Sequence, residues 1–362
     1  MTTHSVPTVT RQSLLETLQA FKRTSLLKAA VELGLYDALA AQPLTAEQLA
    51  RAVGADPRAL RVLLGAAAAS GLIATDGTRY HLPPGAAELL VSTSPQYAGH
   101  AVGVNVSDWE WEAMRDLAAV VRAGGTLLSP DATERDFPYW TRFAADGTFV
   151  TRAAAAALVE ETRAWAEARR GVRLLDVGCG HALFGLEFAR QHPDAVVHGL
   201  DWPEVLDQAR THARRMGLAD RAAFLAGDAF TAPLAGPYDL VIVANLLPLF
   251  PRERAVALLR RLAGVLRPGG RLVTVGFCVN GGPPAEEHAA HLLSLLMLIS
   301  TPGGEAHSLE ATRDMLTAAG YTELAARRVG PLPVHVVSAA PPTGGTEPLV
   351  THRTDAQEGT LR

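Results

Sequence analysis

Three acidic residues at strand ends carry the first chemical signal in this 362-residue chain. Asp176 stands in Leu174-Leu-Asp-Val-Gly-Cys-Gly-His-Ala-Leu-Phe-Gly185, where an apolar run enters a turn with glycines at 178 and 180 and a helical pattern follows. Glycines let backbone approach a ligand closely, and a helix N-terminus offers free N–H groups, so strand, turn and helix together suit a nucleotide cofactor. Asp201 closes the next apolar run, Val196-Val-His-Gly-Leu-Asp201, where an acid can accept bonds from both hydroxyls of a ribose. Gly227-Asp228-Ala229-Phe230 closes the third. A carboxylate there can take an exocyclic amine and Phe230 can lie against a purine. The nicotinamide fingerprint G-x-G-x-x-G/A fails here, because Leu183 stands at its third position.

A second set of residues could move protons. Glu286, Glu287, His288 and His291 share one helical stretch, with His307 further on. His288 and His291 are three apart, a spacing that suits acid–base work, a metal pair or simply a solvated helix face. His288, His291 and His307 are the catalytic candidates, and no metal site is assigned. A dense aromatic group, Trp109, Trp111, Phe137, Tyr139, Trp140, Phe143 and Phe149, suits either a small-molecule pocket or packing between helices. Trp140 and Phe143 are the candidates for contact with substrate.

The elements that must position these groups follow from periodicity. From residue 172 strands and helices alternate, with strands expected at 172–177, 196–201, 222–227, 238–244 and 271–277. Pro268-Gly269-Gly270 is expected to close a helix and turn into the strand at 271. A helix at 308–319 and a strand pair near 323–329 and 333–338 complete an α/β, Rossmann-like sheet. Upstream, residues 12–40 carry apolar positions at helical spacing. Thr45 with Gln48 has the form of a capping box, Asp56-Pro57 begins another helix, and residues 72–82 read as a hairpin turning at Asp76-Gly77. Helices followed by a hairpin make a winged-helix pattern, which serves DNA binding or dimerisation. The helix at 57–70 carries only Arg58 and Arg61 among its leucines, too few polar groups to read bases, so dimerisation is favoured. The expected division is a winged-helix unit at 1–100, a helical linker at 101–170, a cofactor domain at 171–340 and a disordered tail at 341–362.

Composition narrows the function classes. Hydrophobic residues are 48%, charged residues 19% and the net charge is −4, so the chain is globular and lacks the basic surplus of a nucleic-acid binder. No 18-residue apolar run predicts a membrane span, and residues 1–5 do not read as a signal peptide. Cys179 and Cys278 fit a reduced, cytoplasmic protein without a disulfide. The 31 arginines against 2 lysines, with abundant alanine, suggest a high-GC bacterial source.

On Leu-Leu-Asp-Val-Gly-Cys-Gly-His181, Asp201-Trp-Pro-Glu-Val, Gly-Asp-Ala-Phe230, Leu-Arg-Pro-Gly-Gly270 and Met297 through Gly304, the chain resembles the class I S-adenosylmethionine (SAM)-dependent methyltransferases. Within them it is similar to the small-molecule O-methyltransferases of plant caffeate type and their bacterial relatives, over roughly residues 12–338. The resemblance implies a seven-stranded sheet with a reversed last hairpin, an N-terminal winged-helix dimerisation domain and an intertwined homodimer. It implies that Gly178 and Gly180 pass beside the methionine part of the cofactor, that Asp201 holds ribose with Trp202 beside it, and that Asp228, Ala229 and Phe230 frame adenine. Asp176 and Asn245 complete the implied cofactor set, with S-adenosylhomocysteine as the product. Ser294, Met297 and Thr301 fall where the family lines its acceptor pocket. The third glycine of the family's turn is Ala182 here.

The resemblance breaks at the catalytic centre. The family's phenol methylating members use a histidine after the fourth strand, flanked by two glutamates; here those positions hold Pro248, Gly276 and Ala306. A one-residue slip would bring Glu305 or His307 into the site. Methyl transfer from a sulfonium is an in-line displacement with a good leaving group, so alignment of donor and acceptor supplies much of the acceleration. Without a strong base the expectation shifts to a C-, N- or acidic O-nucleophile on a specialised metabolite. A methyltransferase fold catalysing a cyclisation, decarboxylation or hydroxylation is the second reading, and a winged-helix regulator the third.

Overall fold

A computed structural model describes residues 8–330 and 333–342, without the side chains of residues 148–150. The Phe149 side chain and the tail from 343 onward therefore lie outside what is described.

The N-terminal unit is built from helices α1 (Arg11–Glu32), α2 (Leu35–Leu39), α3 (Ala46–Val53) and α4 (Pro57–Ala69), followed by strands β1 (Ala74–Thr75) and β2 (Tyr80–His81) and helix α5 (Ala86–Leu90). The periodic stretch at 12–40 is two helices, broken where Gly34 takes φ +68°. Thr45 and Gln48 close the expected capping box, with Thr45 N–H donating to Gln48 Oε1 at 2.8 Å. The Asp56 carboxylate caps α4 by accepting from Ala59 N–H at 2.8 Å. Leu35, Leu49, Leu60, Leu64 and Ile73 form this unit's own core. The first half of α1 does not share it: Leu14, Leu15, Leu18 and Phe21 are 51–61% exposed in the single chain.

Five helices lead to the sheet: α6 (His100–Asn105), α7 (Asp108–Arg115), α8 (Leu117–Ala123), α9 (Tyr139–Asp146) and α10 (Thr148–Glu167). The chain then alternates through β3 (Arg173–Val177), α11 (Leu183–Gln191), β4 (Val196–Asp201), α12 (Pro203–Arg215), β5 (Ala222–Ala226), β6 (Tyr238–Ala244) and α13 (Arg252–Ala263). It ends with β7 (Leu266–Phe277), α14 (His288–Ser300), α15 (Leu309–Ala318), β8 (Thr322–Arg328) and β9 (Val334–Ala340).

Seven strands lie in the order β5-β4-β3-β6-β7-β9-β8. All pairs are parallel except those made by β9, which runs antiparallel to β7 and β8. Both faces are covered, so strand residues alternate between two cores. Leu174, Leu240 and Ile242 pack on one side, and Leu175, Val177, Val241 and Val243 on the other. One expectation needs correction. Helix α13 ends at Ala263, and Leu266–Gly270 already belongs to β7, because Leu266 pairs with Tyr238 ahead of a bulge in the ladder. The strand order reverses between β3 and β6. A crevice outside the carboxyl ends at such a switch point is where open α/β sheets bind ligands. No helix of the described residues is long and apolar enough to cross a membrane.

Candidate functional site

The turn from β3 into α11 is built on left-handed backbone: Gly178 at φ +63°, Gly180 at +53° and Ala182 at +58°. A Cβ at Gly180 would meet nothing within 4 Å, so the turn borders open space on that side. Ala182 keeps the family's third-glycine geometry at the cost of an L-residue in the left-handed region, about 1–2 kcal/mol. His181 locks the turn from inside. Its Nδ1 accepts from Leu183 N–H at 3.1 Å, so the proton sits on Nε2, which faces Thr151 Oγ1 at 3.4 Å. Burial pushes the imidazole pKa down to about 3, and the ring stays neutral.

Asp201 stands where β4 ends beside this turn. Its Oδ2 accepts from Gly180 N–H and its Oδ1 from Trp202 N–H, both at 2.7 Å. Each oxygen keeps a second lone pair, the number needed for two ribose hydroxyls. Burial pushes its carboxyl up to about 6, against the pull of those two N–H groups. Asp176 has a different place from the one expected. It is 1% exposed, lies beneath the turn and accepts from Gly185 N–H at 3.0 Å. Burial, with the charge of Asp201 nearby, raises its carboxyl to about 7. It ties strand to helix and is not at the surface a cofactor would touch.

The loop after β5 is shaped by Asp228, whose Oδ1 accepts from Phe230 N–H at 2.9 Å. Two arginines that the sequence reading passed over hold it. Arg261 donates to the carbonyls of Ala229 and Ala232, and Arg254 lies 4.6 Å from the Phe230 ring centre. Phe250 meets the same ring edge-on at 5.0 Å. Neither arginine has a sequence signal, since both sit on α13 at ordinary helical spacing. Asn245, just past β6, is exposed at φ +54°, a conformation asparagine tolerates better than most residues. Glycine backbone, two strand-end carboxylates with lone pairs to spare and a half-buried aromatic ring fit an adenosine bearing an amino acid tail.

Beside Asn245, a cavity of about 20 Å³, roomy enough for one water, is lined by Pro248, Gly276, Cys278, His307 and His335 among others. Pro248 and Gly276, two of the three residues expected at the family's base positions, thus border the same cavity as His307. His307 is 9% exposed, and its Nε2 faces the Leu247 carbonyl at 3.3 Å. A carbonyl only accepts, so Nε2 carries the hydrogen and Nδ1 is left as the basic nitrogen. The third position, Ala306, is buried, with its N–H on Ser294 Oγ at 3.0 Å. His288 and His291 are exposed on α14 and do not line that cavity. Among the described residues no cluster has the make-up of a metal site.

Of the substrate candidates, Met297 is buried in the core. Thr301 is also fully buried; its hydroxyl donates to Met297 O and accepts from Gly304 N–H, both at 2.8 Å. It shapes the turn after α14, and its hydroxyl is already committed there. Trp140 and Phe143 are half-buried on α9. Trp140 Nε1 donates to Ala132 O at 3.0 Å, and Phe143 stacks on His181 with ring centres 6.0 Å apart. Phe143 therefore reaches the glycine turn, with Trp140 behind it at 6.1 Å between ring centres.

Comparison with known proteins points the same way. Residues 159–322 match the family model of an O-methyltransferase domain, and residues 15–92 match that of an O-methyltransferase dimerisation domain. The chain is 31% identical to acetylserotonin O-methyltransferase of Mus musculus, over 91% of this chain and 88% of that protein. It is 29% identical to the N,N-dimethyltransferase OxyT of Streptomyces rimosus, over 75% of this chain and 80% of that protein. Among solved structures it resembles a protein named as an O-methyltransferase from Nostoc punctiforme, with a TM-score of 0.83 and 28% identity, over 92% of this chain and all of that one.

Proposed function

Because the chain belongs to the O-methyltransferase family with an N-terminal dimerisation domain, and is thus a SAM-dependent methyltransferase of small molecules, we propose that it methylates a specialised metabolite without the family's histidine base. What supports this reading is that Pro248 falls where the resemblance implies that base and Gly276 where it implies the first glutamate, and that the two line one cavity. Bound SAM supplies an electrophilic methyl group on sulfonium sulfur. Asp201 and the turn at Gly178–Gly180 hold the cofactor's ribose and amino acid portions. Asp228, Ala229 and Phe230 frame the adenine, and Trp202 and Asn245 border the same crevice.

The remaining work falls to residues that place the acceptor. Alignment in a water-poor site supplies much of the acceleration of a displacement with a good leaving group. The acceptor is one that needs little help in losing a proton: an amine, an enolisable carbon or an acidic hydroxyl. That OxyT is named for N,N-dimethylation supports including nitrogen. Where a proton must leave, His307 Nδ1 takes it, since of the three candidate histidines His307 alone borders the cavity of Pro248 and Gly276. Trp140 and Phe143 flank the acceptor, and Ser294 holds the 305–307 segment in place.

The assembly is a homodimer, in which the partner covers the exposed apolar face of α1. The helices α1–α4 and hairpin β1–β2 serve as a winged-helix-like dimerisation unit, and the buried thiols of Cys179 and Cys278 suit the cytoplasm. Calorimetric titration with S-adenosylhomocysteine tests the cofactor assignment. Asp201→Ala is expected to weaken binding by at least about a hundredfold, the loss of two charge-assisted hydrogen bonds. Unchanged affinity would overturn it.

A further inference from the structure

Two cavities have His335 in their walls. The smaller is the one beside Pro248, Gly276 and His307. The larger, of about 270 Å³, is bordered by Asn280, Glu286, Glu287, Arg328 and His335 among others. His335 stands directly across the β7–β9 ladder from Gly276, where a Cβ would meet nothing within 4 Å. Residues paired in this way project to the same face of a sheet, so the imidazole and the open space at Gly276 are neighbours.

The polar wall of the large cavity is incompletely satisfied. Glu287, at the start of α14, is 8% exposed, yet both its oxygens accept from a single donor, Asn280 N–H, at 3.0 and 3.1 Å. Among the described residues it makes no ion pair. A buried carboxylate without a counter-charge is a standing cost. Glu286 and Arg328 add one formal charge of each sign to the wall, so Glu287 leaves the cavity with one negative charge in excess. Nδ1 of His335 is buried and has no hydrogen-bond partner. Burial and the charges of Arg328 and Arg313 push that imidazole's pKa down against the pull of Glu287, so the ring is neutral and has one nitrogen that accepts. Arg313 does not border the cavity. The charge of Glu287 also acts on Cys278, in the wall of the small cavity.

We propose that this enzyme's acceptor carries an ammonium group apart from the atom that is methylated, and that Glu287 and His335 hold that group in the large cavity. An ammonium brings one positive charge and three N–H donors. The charge offsets the surplus, and the donors suit the lone pairs left on Glu287 and the accepting nitrogen of His335. A neutral end group leaves the carboxylate uncompensated, and an anionic one adds to the surplus. With His335 in both walls, the ammonium end is held while the reacting end lies toward Gly276 and Pro248. The proposal rests on the reading of the small cavity as bordering the place of methyl transfer.

The test is a calorimetric titration of the full chain, with and without S-adenosylhomocysteine, using tyramine, 4-ethylphenol and 3-(4-hydroxyphenyl)propanoate at neutral pH. The three share a phenol and differ in the charge of the other end. Tyramine is expected to bind at least about tenfold more tightly than 4-ethylphenol, with the propanoate weakest. Glu287→Gln keeps an acceptor for Asn280 N–H and should erase that preference while leaving affinity for S-adenosylhomocysteine unchanged. NMR of protein carrying isotope-labelled histidine, with His335 assigned from His335→Gln, should show the His335 ring signals moving as tyramine saturates. Equal binding of tyramine and 4-ethylphenol, absence of saturable tyramine binding at millimolar concentration, a preference that survives Glu287→Gln, or His335 signals that tyramine leaves unmoved would each overturn the proposal. The wild-type affinity order decides even if a variant fails to fold. A tyramine preference without binding of S-adenosylhomocysteine would sink the methyltransferase reading and spare the ammonium site; the reverse would sink the ammonium site alone.

Discussion

His307 and Asp176 show how much depends on where a side chain is placed. His307 borders the cavity of Pro248 and Gly276, with Nε2 committed to the Leu247 carbonyl. His307→Ala should therefore slow single-turnover methyl transfer by about 10²–10⁴-fold if a proton leaves in that step, with cofactor affinity within about twofold. His288→Ala and His291→Ala should leave the rate unchanged, because both side chains are exposed on α14. Equal rate loss in all three would contradict the assignment. Asp176 makes a different prediction. Its carboxyl is raised from 3.8 to about 7, so the folded state holds that proton more tightly than the unfolded chain does. Its contribution to stability is complete below pH 3.8 and is lost as pH rises through about 7. Asp176→Asn keeps an acceptor for Gly185 N–H and removes the titration, so its melting temperature should fall less between pH 4 and pH 7.5 than that of the wild type. Parallel profiles would contradict the burial argument.

At the scale of elements, the strands were the most legible part of the chain. Buried on both faces, they read as short apolar runs ending in the acids and glycines of the site, and those strand ends were located from residues alone. What escaped depends on pairing or on distant neighbours. The start of β7 was hidden because Leu266 joins the ladder only through its contact with Tyr238 across a bulge. Arg254 and Arg261 were invisible because the loop they hold is more than 20 residues away in sequence. Asp176 was placed among the cofactor residues because a strand-end acid looks the same whether it faces a ligand or a helix. The apolar face of α1 was legible, but its first half finds no cover among the described residues. Placing aspartate at Leu18 and Phe21 should weaken self-association by at least about tenfold, since each buried side chain of this size contributes about 1.5–3 kcal/mol. Sedimentation velocity reads the outcome, and an unchanged dimer would show that this face is not the interface.

The molecule as a whole joins a sheet whose strand order reverses between β3 and β6 to a helical layer from which Phe143 stacks on His181 in the glycine turn. On the proposal that Pro248, Gly276 and Ala306 stand at the family's base positions, the layer's main task is alignment. The most direct test of that view is transfer of label from S-(methyl-d₃)-adenosylmethionine to a metabolite extract from a strain lacking this protein, followed by mass spectrometry. A new metabolite carrying the heavy methyl group on nitrogen, carbon or an acidic oxygen is the expected result. A metabolite that changes only when the cofactor is present, yet carries no label, would contradict methyl transfer and point to a non-methylating reaction on the same fold.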